Sequence, residues 1–288
     1  MAVRDQVRSR VPVGVRHRIA RGRLRYRVPT GRWRRLPDAL VIGAQRSGTS
    51  SLYRALGAHP GAAPSFRKEV EYFSRYHDRG VRWYRAHFPL AAGPGGRRVA
   101  FEATPDYLLH PLAAARARAL VPRAALVVLL RDPVARAWSH YQHMVRLGYE
   151  NLPFDDALAA EEERLAPDLA RLADDPDHDP KALLRYSYAA RGRYAGQLAR
   201  WLDAYPRERL LVVRSEDLFA EPGPTLARIA GHLGLAPRAP APLGNVSGGH
   251  GAPPPAAMSE AARVRLAAEF AGEPAALAAL LGADAPAW

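Results

Sequence analysis

The stretch "VIGAQRSGTSSLYRALGAHP", Val41 to Pro60, constrains the fold of this chain more than any other. An apolar run, "ALVIG" (39–43), ends in a glycine, which is the signature of a short buried strand. Gly48 follows, then the hydroxyls of Thr49, Ser50 and Ser51, then Leu52 and Leu56 at helical spacing with a stop at Gly57 to Pro60. A strand that turns through glycines into a helix aims backbone N–H groups at one spot, where the helix end adds partial positive charge. The predicted product is an anion cradle, although the same glycines would also serve a plain strand–turn–helix. In a nucleotide triphosphatase a lysine follows the second glycine. Here Thr49 follows it, and the nearby cation is Arg46.

The rest of the chain repeats the alternation. "RRVAFEATP" (97–105), "AALVVLLRDP" (124–133) and "RLLVVRSEDL" (209–218) read as strands. "ARAWSHYQHMVRLG", "YAGQLARWLDAYP" (194–206), "GPTLARIAGHLGL" (223–235) and "SEAARVRLAAEFA" (259–271) read as helices. Strands alternating with helices predict an α/β fold: a P-loop-NTPase-like, three-layer domain with a mostly parallel central sheet flanked by helices. In a triphosphatase the second strand would end in an acid for Mg²⁺. Here "LVVLL" ends in Arg131, which repels a metal and attracts an anion, and the alternation of the strand turns Asp132 the other way. The expected ligand is therefore anionic at two places, one at each strand tip, and bound without metal.

Charge divides the chain. Residues 1–37 hold twelve arginines against one acid, Asp5, which accounts for +11 of the net +14 and leaves about +3 for 38–288. The first segment is expected to be a flexible or loosely docked arm with Trp33 as its candidate anchor: a solvated charged tail first, with contact to an acidic partner, an anionic membrane surface or a polyanionic substrate as the alternative. With lysine only at Lys68 and Lys181, arginine is favoured everywhere, so the basic pI alone does not point to nucleic acid. The globular domain is expected over 38–288. Acidic 161–181 is expected as a lid or insertion, and 236–256 is too rich in proline and glycine for regular structure. No run of about 18 apolar residues predicts a membrane span, no secretory leader is evident, and zero cysteines suit a reducing cytoplasm.

These motifs resemble a known family. "GAQRSGTSSL" is similar to the 5′-phosphosulfate loop of sulfotransferases that use 3′-phosphoadenosine 5′-phosphosulfate (PAPS) and release PAP. "LRDPVARAWSHYQH" is similar to their 3′-phosphate site, and "KEVEYF" (68–73), "EATPDYL" (102–108) and "RGRYAGQLARWLDAYPRERLLVVRSEDL" (191–218) extend the likeness to the heparan-sulfate-type enzymes and their bacterial relatives. The resemblance implies that Gly43, Gln45, Arg46, Ser47, Gly48, Thr49, Ser50 and Ser51 hold the 5′ end of the donor. Arg131 and Ser139, joined by Arg191, would hold the 3′-phosphate. It also implies Glu69 as the base that takes the acceptor proton, with Lys68 and Arg46 stabilising the leaving group. Glu71, Asp106 and Tyr107 fall on the acceptor side.

Independently of that likeness, an extended "KEVEYF" would put Glu69 and Glu71 on one side, and two carboxylates in one pocket raise one pKa. His140 and His143 stand at i, i+3 without a third ligand, so no metal is expected. Two departures stand out: heparan-type enzymes have lysine where Arg46 stands, and lysine where Ala103 follows Glu102. Arg238, Asn245 and His250 fall where the family has a nucleotide-gripping loop. The expected activity is sulfuryl transfer from PAPS to a hydroxyl or amine of a glycan, lipid or small-molecule acceptor. The competing readings are an ATP-dependent small-molecule kinase and a non-catalytic polyanion-binding protein.

Overall fold

The computed structural model describes residues 22, 24–91, 98–237, 243 and 257–288. The first half runs β1 (Ala39–Gly43), α1 (Thr49–Gly57), β2 (Ala62–Pro64), α2 (Gly80–Arg85), β3 (Val99–Ala103), α3 (Asp106–Leu109), α4 (Ala113–Leu120) and β4 (Ala125–Leu130). It continues with α5 (Pro133–Arg146), α6 (Phe154–Ala159), α7 (Glu161–Asp174), α8 (Lys181–Tyr186) and α9 (Tyr194–Ala204). Last come β5 (Leu210–Arg214), α10 (Ser215–Ala220), α11 (Pro222–His232), α12 (Glu260–Glu269) and α13 (Glu273–Leu281).

The five strands form one parallel sheet in the order β2-β3-β1-β4-β5. This is the α/β architecture expected from the alternation. Buried on both faces, β1 and β4 are apolar throughout, and their side chains divide by parity. Leu40, Ile42, Leu126, Val128 and Leu130 join Tyr84, Tyr107, Leu198 and Trp201 in one core layer. Val41, Val127 and Leu129 join Leu52, Leu56, Leu226 and Ile229 in the other. Because β1 is central and the chain crosses from β3 to β4 on its other side, the order in which strands are added reverses at β1 while all stay parallel. The crevice beyond the carboxyl ends of β1 and β4 is where such a sheet binds ligands.

Five expectations change. β2 was not anticipated, because "AAP" is too short to show alternation and its Pro64 is tolerated only at a sheet edge. The strand expected over 209–218 stops at Arg214, where Ser215 opens α10. The acidic stretch 161–181 begins as a packed helix: Leu165 and Leu172 on α7 are buried with Leu109 and Leu183. The last part of the basic arm is docked rather than loose. Arg27 donates to the carbonyls of Ala86 and Phe88 (2.5 and 2.8 Å), and Arg34 donates to Phe88 O (2.9 Å). Trp33, expected as the anchor, is 53% exposed; buried Gly31 makes the contact instead. Glu260–Asp284 is long and apolar enough to cross a membrane by composition, but it is two helices, and Leu266, Phe270, Leu277 and Leu281 are buried in the body.

Candidate active site

The loop after β1 is held by close packing. A Cβ on Gly43 would lie 2.7 Å from Leu108 Cβ on α3, so only glycine lets β1 end there. Gly48 has φ +92° and sits at the N-cap of α1, which no side chain caps. The helix end thus keeps its donors for a ligand. Ser47 is fully buried, and its Oγ, like Gln45 Oε1, has no protein partner. Unpaired buried polar atoms around an uncapped helix end fit an anionic ligand that supplies and accepts the missing bonds.

The tip of β4 supplies the second half. Asp132 accepts a hydrogen bond from Ala135 N at 2.7 Å and Pro133 occupies the first turn, so "DP" starts α5 directly after Arg131. One helical rise then brings Ser139 back to the loop of β1. Arg46 Nε donates to Ser139 Oγ at 3.0 Å, and Arg131 Nη1 donates to Arg46 O at 3.3 Å. Asp132 is engaged as a helix cap. The two phosphate motifs, expected as separated sites, are contiguous. Burial first, then repulsion from Arg146 and Arg131, lowers the Arg46 pKa to about 10. Among the described residues none of these three arginines is in an ion pair.

Beside this cluster stands the "KEVEYF" loop, attached to the tip of β3 by Glu69 N donating to Ala103 O (3.0 Å). It is not extended as expected: Glu69 and Glu71 have φ of +60° and +59°. A buried carboxylate fixes this turn. Glu102 accepts from Tyr84, Tyr107 and Thr104 hydroxyls at 2.5, 3.0 and 2.8 Å. Thr104 Oγ1 and Tyr107 OH in turn accept from Glu71 N and Tyr72 N. Glu69 emerges half-exposed in an ion pair with Lys68. His143 on α5 lies within electrostatic range of Glu69, Arg46 and Arg146; burial, then the two arginines, push its pKa down to about 4, so it is neutral at pH 7.

A family model described as a sulfotransferase domain matches residues 36–241. The chain belongs to the sulfotransferase family. It is 30% identical over 206 residues to the bifunctional heparan sulfate N-deacetylase/N-sulfotransferase 1 of Caenorhabditis briggsae, covering 69% of this chain and 23% of that protein. It is 32% identical over 215 residues to the human bifunctional heparan sulfate N-deacetylase/N-sulfotransferase 3, covering 70% of this chain and 23% of the relative. The chain therefore spans under a quarter of the length of these relatives. A crystal structure of a sulfotransferase from Alicyclobacillus acidocaldarius matches with a TM-score of 0.66 at 30% identity, covering 86% of this chain and 96% of that one.

Within this sulfotransferase, three expected site residues lie behind the cleft rather than in it. Arg191 is buried; its Nη2 donates to Asp106 Oδ1 (2.8 Å) and Leu184 O, and its Nε to Ser187 Oγ. An arginine so engaged through Nε and Nη2 is a structural strut between α3 and the turn before α9. Asp106 is consumed by the same pair. Tyr107 is fully buried, with its hydroxyl spent on Glu102 and Tyr72, so it does not touch the acceptor. Glu71 remains beside the cleft, mostly buried. Arg67 and Arg75 reach it only at 3.3 and 3.4 Å. Burial, then Asp106, raises its pKa to about 7 against the lowering by those arginines.

The sulfotransferase also uses groups that reading the sequence missed. Glu102 and Thr104 shape the loop that carries Glu69, and the only hint was the burial implied by a carboxylate inside "VAFEA". His143 was considered for metal alone, yet helical spacing from Ser139 places it on the same face of α5. The stretch 161–181 reaches the loop through Arg75–Asp179 (2.7 Å) and, at its edge, Arg116–Asp177 (3.2 Å). Arg238, Asn245 and His250 lie outside the described residues.

Proposed function

We propose that this sulfotransferase takes its sulfuryl group from PAPS and delivers it to a hydroxyl or amine of a glycan, lipid or small-molecule acceptor. The observation that supports the reading is the cluster of Arg46, bonded to Ser139, and Arg131, bonded to the Arg46 carbonyl, with Arg146 at the end of α5 within electrostatic range and none of the three in an ion pair among the described residues. A ligand with anions at both ends of its ribose meets that demand; a magnesium triphosphate does not, because it brings its own cation. PAPS, when bound, supplies an activated sulfuryl group on a phosphate leaving group.

The chain's own residues do the rest. The uncapped end of α1, with Ser47 and Thr49, binds the 5′ end, while Arg131 and Ser139 bind the 3′-phosphate. Arg46 and Lys68 hold positive charge at the mouth of the cradle, where preorganised cations lower a barrier most. A Glu69 carboxylate oxygen accepts the acceptor's proton, and the neighbouring His143, its pKa pushed down to about 4, is a weak base for that proton. Arg46 stands where the heparan-type relatives have lysine; its planar fork lets one side chain meet Ser139 and the donor together.

The experiment is turnover of radiolabelled PAPS with a panel of acceptors, alongside calorimetric titration with PAP in the presence of EDTA. Metal-free PAP binding and label transfer are expected. Stabilisation by ATP–Mg²⁺ but not by PAP would select the kinase reading instead.

A further inference from the structure

A second surface, formed by the docked arm and α2, is built differently from the catalytic crevice. Gly31 is buried against α2, where a Cβ would come within 2.4 Å of Arg82 O, so the 3-10 turn Gly31–Trp33 sits hard on that helix. Ala91 N donates to Trp33 O at 2.8 Å, Arg34 pairs with Leu90 in a backbone bridge, and Arg85 Nη1 donates to Arg32 O. Arg27 lies 5.0 Å from the centre of the Phe66 ring. These contacts fix a platform on which large side chains nonetheless face outward. Tyr26 is 85% exposed, Trp33 53%, Leu90 46% and Val81 40%. Between them stand exposed Arg25, Arg32 and Arg82, with Arg32 stacked over Trp33 at 4.1 Å.

Charge at the platform has one sign. Residues 24–37 and 80–91 contain no aspartate or glutamate, and residues 1–23, which lead into it, carry seven arginines against Asp5 alone. A purely solvated basic surface has no reason to hold tryptophan, tyrosine, leucine and valine out among its guanidinium groups. A polyanion such as a nucleic acid would engage the arginines and leave Leu90 and Val81 without a role. An anionic bilayer surface uses both sets: aromatic rings settle at the headgroup level, apolar side chains reach the acyl boundary, and arginines meet lipid phosphates and carboxylates.

We propose that the platform of Tyr26, Trp33, Val81 and Leu90, with Arg25, Arg32 and Arg82, is a docking surface for anionic lipid bilayers. The platform is rigid before contact, so docking costs little ordering. The surface is distinct from the donor cradle, and its test does not depend on the donor's identity.

The full chain is sedimented with phosphatidylcholine vesicles, with and without phosphatidylserine. Binding only to the phosphatidylserine-containing vesicles is expected. Arg25→Glu with Arg32→Glu should weaken it by at least about fivefold per arginine. Tyr26→Ser with Trp33→Ser should weaken it by about tenfold and leave thermal melting unchanged, because both side chains are exposed. Three results overturn the proposal: no phosphatidylserine-dependent sedimentation, equal binding to pure phosphatidylcholine, or binding that Tyr26→Ser and Trp33→Ser leave intact and that heparin or duplex DNA matches. The last would assign the surface to polyanions.

Discussion

Arg46 Nε and Ser139 Oγ, 93 residues apart in the chain, meet at 3.0 Å and so tie the loop of β1 to the helix that follows β4. The bond makes the loop after β1 and the start of α5 one unit. Arg46→Lys keeps the charge and loses the fork, and is expected to lower PAP affinity by about tenfold. Arg131→Ala removes a charge-assisted contact outright and should cost about 10- to 100-fold. Calorimetry with PAP reads both; unchanged affinity in Arg131→Ala would sink the assignment of the 3′-phosphate.

Glu69→Gln separates binding from proton transfer. The side chain is half-exposed and paired only with Lys68, so its loss should leave the fold and PAP affinity intact. Turnover should fall by at least about 100-fold. Retained rate would remove Glu69 from the base role.

Glu71 predicts a pH effect on stability. Its folded pKa, raised to about 7 from 4.5, means that the folded protein keeps a proton the unfolded chain releases between those values. Stability therefore falls as pH rises through this window, by on the order of 3 kcal/mol from this group. Glu71→Gln should match the parent below pH 5 and melt higher than it above pH 7. Parallel melting curves across that range would show that the carboxyl is not held protonated by burial and Asp106.

Arg191 and Asp106 should behave as a buried pair. Asp106→Ala leaves the Arg191 guanidinium without its carboxylate and is expected to cost about 3–5 kcal/mol of stability in chemical denaturation. Arg191→Met fills similar volume without charge, and in the protein that remains folded PAP affinity should be near normal. A folded Arg191→Met protein with PAP binding abolished would return Arg191 to the 3′-phosphate.

Gly43→Ala tests the packing behind the cradle. The new methyl would overlap Leu108 and is expected to destabilise by about 1–3 kcal/mol. Because Leu108 Cβ is itself the nearest atom, the partner substitution is Leu108→Gly, and in a double-mutant cycle the combined loss is expected to be smaller than the sum of the two single losses. Additive losses would mean that the backbone path of the loop, rather than the contact with α3, demands glycine.

Local pattern made much of this molecule legible. β1, β4 and β5 were readable as short apolar runs, and Gly43 and Gly48 because a strand that turns tightly into a helix needs glycine. β2 was not readable, since three residues at a proline-bearing edge carry no periodicity. The Glu69–Glu71 turn was misread as extended because its conformation is imposed from outside by Glu102 through Thr104 and Tyr107. Arg191 and Tyr107 look like ligands in a motif and prove to be internal supports, a difference that only their partners reveal.

The sequence by itself determined the alternation that yields a parallel sheet, the glycine-bearing turn from β1 into α1 and the excess of guanidinium groups, because these follow from short-range sterics, periodicity and charge. Tertiary structure alone decided that Arg46 joins Ser139, that Glu69 faces outward while Glu71 is held near neutral pKa, and that the basic arm lies against α2. The physical reason is the same in each case: ionisation, exposure and hydrogen bonding depend on which distant groups share a space, and the sheet order that brings them together is written in no single segment.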